Sequence, residues 1–277
     1  MTKLYYFYAK WRKKDVSFFS NLGIDIEQGY YSFTIEEGDV YDKIIKYYFR
    51  KDLFNVVKPK EFSTFLARVD FTKEELNASR LYALTNFGAP TGFPLPKDSF
   101  MDKVYESYCK PCHIYKNQIN PFQIATPKLS KKQVNFSLNW VFDAMFFKKE
   151  FFLEVLKPLG LNSINVILNK TGKVSEDIVQ LDIPVAKSKL LIDGTAYDTE
   201  KACSACGIKK YSQQTLDIFP KFERDFDFLI CKTQEFFGES DTQSAFKRVV
   251  ISKKLCIILI KYNLIEFNSR NLIPMES

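Results

Sequence analysis

The sequence predicts an α+β protein built from mixed sheets and a few helices. Two observations predict this class: strand-like and helix-like patterns alternate over about the first 85 residues, and a hairpin and an amphipathic helix occur in the second half of the chain. Hydrophobic residues make up 46% of the 277 residues and aromatic residues 16%, against only 10 glycines. The chain therefore has ample material for a packed core.

The N-terminal segment contains four predicted elements. In its first helix, Val40, Ile44 and Tyr48 fall on one face at helical spacing. The second helix has Thr72 as its N-cap, and the acidic residues of its first turn suit the helix dipole. The elements are strands at Leu4–Lys10 and Tyr30–Ile35 and helices at Val40–Lys51 and Lys73–Leu81.

A loop rich in proline and glycine, Asn86–Lys97, follows these elements. It carries three of the eleven prolines and two of the ten glycines, so it continues neither a helix nor a strand. We interpret this segment as a long ordered loop or a domain joint. The sequence thus predicts an N-terminal α+β domain at 1–97 and a second α+β domain at 98–277.

The second domain contains six further predicted elements. An apolar helix rich in phenylalanine is ended by Pro158 and Gly160, and the turn residues Asn169 and Gly172 join the two strands of a hairpin. The last helix has Ser252 as its N-cap. The elements are a strand at Phe136–Trp140, the apolar helix Val141–Leu156, the hairpin Ser163–Leu168 with Asp177–Ile183, the helix Lys253–Tyr262 and a last strand at Ile265–Phe267.

The chain is expected to be cytoplasmic. The apolar run Leu4–Ala9 is too short for a signal peptide and is followed by basic residues. The run Leu255–Ile260 is far below the roughly 20 residues of a membrane-spanning helix. Without export, the six cysteines are not expected to form a disulfide framework, and paired cysteines then indicate metal or redox chemistry.

Two CxxC pairs, Cys109 with Cys112 and Cys203 with Cys206, are the strongest motif. Each pair places two sulfurs on one tight turn, and two such turns supply the four corners of a tetrahedral zinc site. We therefore predict a structural, zinc-ribbon-like site of four cysteines that organises the C-terminal two-thirds of the chain. Residues 113–202, a stretch of 90 residues, would form a folded insertion between the pairs.

Alternatives to the shared site remain open. The two pairs could be unrelated turns, or Cys109-Lys-Pro-Cys112 could act in thiol–disulfide exchange. His113 could replace a cysteine ligand, donate a hydrogen bond beside the site or be a polar turn residue. Cys231 and Cys256 lie in apolar runs and are interpreted as small buried hydrophobes, although Cys231 could also reach the metal.

The sequence predicts no catalytic residues, and the chain is not expected to be an enzyme. It has one histidine, and neither a GxGxxG nor a GxSxG motif occurs. The run Lys170–Lys173 lacks the remaining residues of a phosphate-binding loop and is explained better as a hairpin turn.

Nucleic-acid binding is a second functional hypothesis. The chain has a net charge of +7 and a pI of about 8.9, and basic residues lie near the cysteines. The candidate contacts are Lys128, Lys131, Lys132, Lys201, Lys209 and Lys210. A solvated surface is the more common explanation of such lysines, because no basic stripe emerges from the sequence.

The sequence resembles the double-CxxCG motif proteins, a family similar to immunity proteins that protect bacteria from toxins delivered by kin cells. The resemblance covers mainly residues 100–277, and it rests on Cys203-Ser-Ala-Cys206-Gly207, on Phe219-Pro220 and on Val250–Leu255 leading to Phe267 and Ile273-Pro274. The sequence departs from the family pattern at Lys253, where the family has an acidic residue, and at His113, where it has glycine.

The resemblance implies a zinc-stabilised scaffold that binds a cognate toxin by protein–protein contact and has no catalytic activity. Inhibitors of basic nucleases usually present an acidic surface, whereas this chain is basic overall. We therefore expect a toxin other than a simple basic nuclease, unless a local acidic patch at Glu223–Asp227 forms the contact.

Overall fold

The predicted α+β class is confirmed, since the chain folds into three sheets with a few short helices. The computed structural model describes residues 1–49, 58–106, 109–239 and 245–276. It divides the chain into two compact units, Met1–Glu75 and Leu76–Ser277. None of the helices in these described ranges has both the length and the apolar character required to cross a membrane.

The first unit contains strands and helices in the order β1 (Thr2–Trp11), α1 (Lys13–Ser20), β2 (Gly29–Glu36), α2 (Asp39–Phe49) and β3 (Lys60–Asp70), and helix α3 (Lys73–Ala78) follows. Its strands form an antiparallel sheet in the order β2-β1-β3. One face of β1, with Phe7 and Trp11, packs against Phe19 of α1 and Tyr48 of α2. The residues of β1 alternate between buried and less buried, so its less buried side chains lie on the opposite face of the sheet.

The second unit contains a six-stranded sheet and a five-stranded sheet. Its elements are β4 (Leu81–Leu84), β5 (Pro94–Leu95), α4 (Phe100–Val104), β6 (Gln123–Ile124), β7 (Asn135–Leu138), β8 (Val141–Lys148), α5 (Lys149–Phe151), β9 (Asn162–Leu168), β10 (Val174–Asp182), β11 (Lys210–Tyr211), β12 (Ile230–Phe237), β13 (Phe246–Ser252), α6 (Lys253–Lys261) and β14 (Leu272–Pro274). Helix α5 continues as a π-helical turn, Phe152–Leu156, and a 3-10 turn, Lys157–Leu159.

The strand order is β5-β6-β9-β10-β8-β7 in the larger sheet and β11-β12-β13-β4-β14 in the smaller one. Both sheets are mixed, because β6 pairs with β9, and β11 with β12, in parallel, while the other neighbours are antiparallel. A core of buried aromatic and aliphatic residues, including Phe122, Phe136 and Phe146 from the larger sheet and Phe236 from the smaller one, lies in this unit.

Elements with strong local signals lie where the sequence predicted them. The predicted hairpin is β9–β10, and Gly172 adopts the left-handed conformation (φ 66°) in its turn. Helix α6 begins after Ser252, whose hydroxyl accepts a hydrogen bond of 3.3 Å from the amide of Leu255. Thr72 caps α3 in the same way, by accepting from the amide of Glu75 at 3.2 Å.

Three predictions of secondary structure were wrong. Val141–Leu156 is a helix only from Lys149 onward, and its first half is strand β8. Because β8 lies between β10 and β7 and is nearly all buried, its sequence is a nearly continuous apolar run, which does not distinguish a strand from a helix. The last strand is β14 rather than Ile265–Phe267, since the chain turns at Asn268 and then pairs with β4. Helix α3 ends at Ala78, because Leu81 begins β4.

The division into units falls between Glu75 and Leu76, earlier than the boundary after residue 97 that the sequence indicated. Strand β4 pairs with β13 and β14, and β5 pairs with β6, so the proline-rich loop lies within the second unit. The predicted helix at Val40–Lys51 corresponds to α2, and its last residues, 50–51, lie outside the described ranges.

Candidate metal centre

The four cysteines of the two CxxC pairs lie together in the second unit. Their Sγ atoms are all within 4.8 Å of one another, and the Sγ atoms of Cys112 and Cys206 are 3.6 Å apart although these residues are 94 positions apart in the sequence. All four are free thiols. The predicted juxtaposition of the two pairs is thus present in the fold.

The first pair lies on a turn that closes on itself. The amide of His113 donates to the carbonyl of Cys109 at 2.6 Å, and the amide of Cys109 donates to the carbonyl of Ile114 at 2.8 Å. Tyr105, which precedes the turn, and Gln118, which follows it, form an antiparallel bridge. These bonds fix the backbone so that both sulfurs of the pair point to the same side.

The second pair lies on a turn with the same hydrogen bonds. The amide of Gly207 donates to the carbonyl of Cys203 at 2.8 Å, and the amide of Cys203 donates to the carbonyl of Ile208 at 3.0 Å. An antiparallel bridge joins Ala202 to Lys209 beside it. The two turns are therefore equivalent in backbone structure despite their different sequences.

The equivalence of the two turns explains why His113 lies in the first turn at the position that Gly207 has in the second. His113 has φ 59° and Gly207 has φ 71°, so both occupy the left-handed region at the same place in their turns. Glycine adopts this region without strain, and histidine is among the side chains found there more often than average. Within the described residues the cluster contains only the four cysteines, so neither His113 nor Cys231 is part of it.

The donor set suits a metal ion. Four thiolates are a soft ligand set, and two sulfurs bound at about 2.3 Å to a tetrahedral zinc are about 3.8 Å apart, close to the separation of Cys112 and Cys206. Backbone amides of Cys206 and Ala205 lower the pKa of the Cys203 thiol to about 7, whereas burial raises the pKa of Cys112 and of Cys206. A bound cation would favour the thiolate at all four positions.

The cluster packs against the core of the second unit. Cys112 is only 2% exposed and belongs to the core, while the other three cysteines are partly buried and pack against it. A metal ion in this cluster would be covered on one side by protein.

A buried polar network anchors the first turn, and the sequence analysis did not identify it. Tyr115, which follows the turn, donates to the carboxylate of Asp143 and stacks on Tyr105 at a ring distance of 4.0 Å. The same carboxylate lies 3.5 Å from Nζ of Lys232. The only signal in the sequence is that Asp143 interrupts an apolar run.

The basic residues proposed as nucleic-acid contacts separate into two groups. Lys209 forms an ion pair with Asp198, and Lys210 is 2% exposed and donates to the carbonyl of Glu239 at 2.6 Å. The others, Lys128, Lys131, Lys132 and Lys201, are exposed. The lysines nearest the second turn are therefore engaged within the protein.

The acidic segment Glu223–Asp227 lies at the surface. Glu223, Asp225 and Asp227 are exposed, and Phe226 stacks on Phe228 at a ring distance of 4.8 Å. Asp225 and Asp227 line a shallow groove with Arg80.

Comparisons of the chain with family models, with curated proteins and with solved structures gave no match.

Proposed function

We propose that this chain is a non-catalytic binding protein of the bacterial immunity type, stabilised by one structural zinc ion in a zinc-ribbon-like site of four cysteines. The observation that carries the zinc site is the convergence of four cysteine sulfurs from two equivalent turns. Its ligands would be Cys109, Cys112, Cys203 and Cys206. We place the protein in the cytoplasm, where thiols stay reduced and free for metal binding.

The convergence of four sulfurs favours a structural metal over a redox dithiol. A dithiol enzyme needs one accessible cysteine pair, whereas here Cys112 is buried and its sulfur faces that of Cys206 on the other turn. A four-thiolate zinc ion has no open coordination position, so it would stabilise the fold rather than act on a substrate. The activity of the protein would then reside in a binding surface.

The acidic groove beside Asp225 and Asp227 is the surface that we propose for a toxin. Two exposed carboxylates against one arginine, Arg80, give this groove a small excess of negative charge on a chain of net charge +7, and Phe226 and Phe228 supply apolar contact area. Such a patch complements the basic clefts of nucleases and would steer association. The partner would be a protein toxin encoded beside this gene.

The toxin proposal can be tested by co-expression. The product of the neighbouring gene is expressed in a susceptible bacterium with this protein or with the double variant Asp225→Lys/Asp227→Lys. We expect the wild type to restore growth and the double variant to fail. Glu176→Lys/Asp177→Lys has the same change of charge on exposed residues of β10 and should still protect. Equal protection by both variants would contradict a role for the groove.

The open sheet face of the first unit supports a second candidate, single-stranded nucleic-acid binding. The cross-strand register places Tyr6 beside Phe65 and Lys10 between Tyr30 and Lys60, and Phe65 and Tyr30 are 53% and 56% exposed. Aromatic rings on a sheet stack with bases, and lysines contact phosphates. Binding of a labelled oligonucleotide that weakens with salt and with Tyr30→Ala/Phe65→Ala would support this function.

A further inference from the structure

A cavity of about 310 Å³ lies in the second unit, away from the cysteines. It is lined by residues of β4, β7, β8, β13 and the proline-rich loop, and its lining includes four aromatic side chains as well as polar residues. This volume is at the lower end of the range for small-molecule sites, which are mostly apolar with a few converging polar groups. The residues that matter here are Phe87, Trp140, Phe142, Phe246 and Arg248.

Arg248 is the charged group of this cavity, and it is only 5% exposed. Its guanidinium donates to the carbonyls of Gln213 at 2.6 Å and Leu84 at 3.5 Å, and it lies over the rings of Phe237 and Phe246 at 5.3 and 5.1 Å. Its Nε has no hydrogen-bond partner in the part of the chain that the structure describes. The guanidinium therefore retains at least one unused donor.

No carboxylate among the described residues forms an ion pair with Arg248. A buried charge without a counter-charge is costly, because carbonyl dipoles and rings replace only part of its hydration. Burial lowers the pKa of Arg248 to about 10, so the side chain remains charged at neutral pH. A buried cation that borders a cavity is a feature of anion recognition sites.

The rim of the cavity carries a second unusual feature. Trp140 has φ 69°, in the left-handed region that bulky side chains rarely adopt, and its side chain is 54% exposed. Neighbouring Phe142 is 59% exposed although it lies on a strand whose other residues are almost all buried. Strained backbone conformations cluster at active sites, ligand clamps and switch regions.

We propose that this cavity binds a small organic carboxylate with an aromatic or branched apolar body. The carboxylate would accept hydrogen bonds from Arg248, whose planar fork matches its two oxygens. The apolar body would pack against Phe87, Phe142 and Phe246, and the indole of Trp140 would cover the entrance. An inorganic anion would satisfy the guanidinium but leave the aromatic walls unused, so the organic acid is the better ligand class.

The test compares two probes of the same shape, the charged 3-phenylpropionate and the neutral 3-phenylpropionamide. Binding is measured by calorimetry and by the fluorescence of Trp140, in a Trp11→Phe background that removes the other tryptophan. Because a hydrogen bond to a charged group is strong when buried, we expect the acid to bind about tenfold to a hundredfold more tightly than the amide. Acetate, which lacks the apolar body, should bind more weakly than 3-phenylpropionate.

Two variants locate the site. Arg248→Met should abolish the preference for the acid over the amide while the melting temperature without ligand stays the same or rises, because an uncompensated buried charge is removed. Phe142→Ala, at an exposed position where folding is not at risk, should weaken both probes equally. If Arg248→Met does not fold, Phe142→Ala and the pair of probes still decide the question.

Equal affinity for acid and amide, or a preference that survives Arg248→Met, would overturn the proposal. So would a loss of melting temperature in Arg248→Met with no carboxylate binding to the wild type, since Arg248 would then serve only to hold the carbonyls of Leu84 and Gln213. None of these measurements depends on a metal or on a toxin, so the inference stands or fails separately from the proposed function.

Discussion

The two cysteine turns have the same backbone hydrogen bonds but lie in different surroundings. The first continues into Ile114 and Tyr115, which are 2% and 5% exposed, and Tyr115 is held by the buried carboxylate of Asp143. The second continues into Ile208, which is 44% exposed, and Lys209, which forms an ion pair at the surface. Both turns contact the core, since Cys203 and Cys206 also pack against it, but the residues that directly follow the first turn are the more deeply buried.

This difference indicates how a metal would act. The first turn continues directly into buried residues, whereas the second passes through the exposed Ile208 before it reaches the buried strand β11. A bound ion would thus hold the more exposed second turn against the more deeply buried first turn.

Replacing Cys112 by serine should have the largest effect. It removes a ligand and leaves a hydroxyl in an apolar core, so we expect loss of the bound metal and of about 4 kcal/mol or more in the free energy of unfolding. Elemental analysis and urea unfolding measure both quantities. Cys256→Ala, at a cysteine that is 1% exposed but outside the cluster, should keep one metal per chain. A metal-free wild type with the same stability as Cys112→Ser would contradict the prediction.

Removing the metal with a chelator should open the second turn before the first. The amides of Cys203 and Gly207 should lose protection from hydrogen exchange, whereas those of Cys109 and His113 should keep most of theirs, because the core still holds the first turn. Mass spectrometry of peptides that cover each turn gives this order. Loss of protection in both turns at one rate would show that packing does not distinguish them.

Gly207→Ala should cost about 1 kcal/mol, because alanine is strained in the left-handed region. A Cβ at this position meets no atom within 4 Å, so crowding adds nothing. Gly172→Ala is the matched control, since Gly172 has φ 66° and equally open space in the β9–β10 turn. Both should lose similar stability in urea unfolding, but only Gly207→Ala should weaken zinc binding in a competition titration.

His113→Gly should have the smallest effect, between no change and a gain of about 1 kcal/mol, because glycine relieves the left-handed strain at this position. Metal content should remain one per chain, as determined by elemental analysis. His113→Asn, which also tolerates this conformation, serves as the control. Loss of the metal in both variants would identify His113 as a ligand and refute the four-cysteine set.

The sequence located elements whose signals are local. The hairpin β9–β10 follows from Asn169 and Gly172 in its turn, and the start of α6 follows from the hydroxyl of Ser252. Strand β8 was missed because a strand buried on both sides has no alternation, and a run of apolar residues does not distinguish it from a buried helix. Strands β3, β12 and β13 were not predicted. Strand β3 pairs with β1, and β13 with β4, over long separations in the sequence, whereas β12 and β13 are consecutive strands that pair with each other.

The residues of the candidate site were also predicted only where the signal is local in the sequence. Two CxxC motifs identify the four cysteines, because two sulfurs on one turn are a property of a few neighbouring residues. The sequence assigned Lys209 and Lys210 to a possible nucleic-acid surface, but the fold pairs one with Asp198 and buries the other. Charge alone does not reveal which lysines find partners within the protein.

The sequence by itself determined the α+β class, the two cysteine turns and the identity of the four thiols, since each depends on periodicity or on residues a few positions apart. Only the tertiary structure decided that Cys112 and Cys206 meet across 94 positions and that Tyr115 anchors one turn through Asp143. It also decided that Arg248 is buried beside a cavity without a counter-charge. Such contacts depend on how sheets pack, and packing joins residues whose separation along the chain carries no local signal.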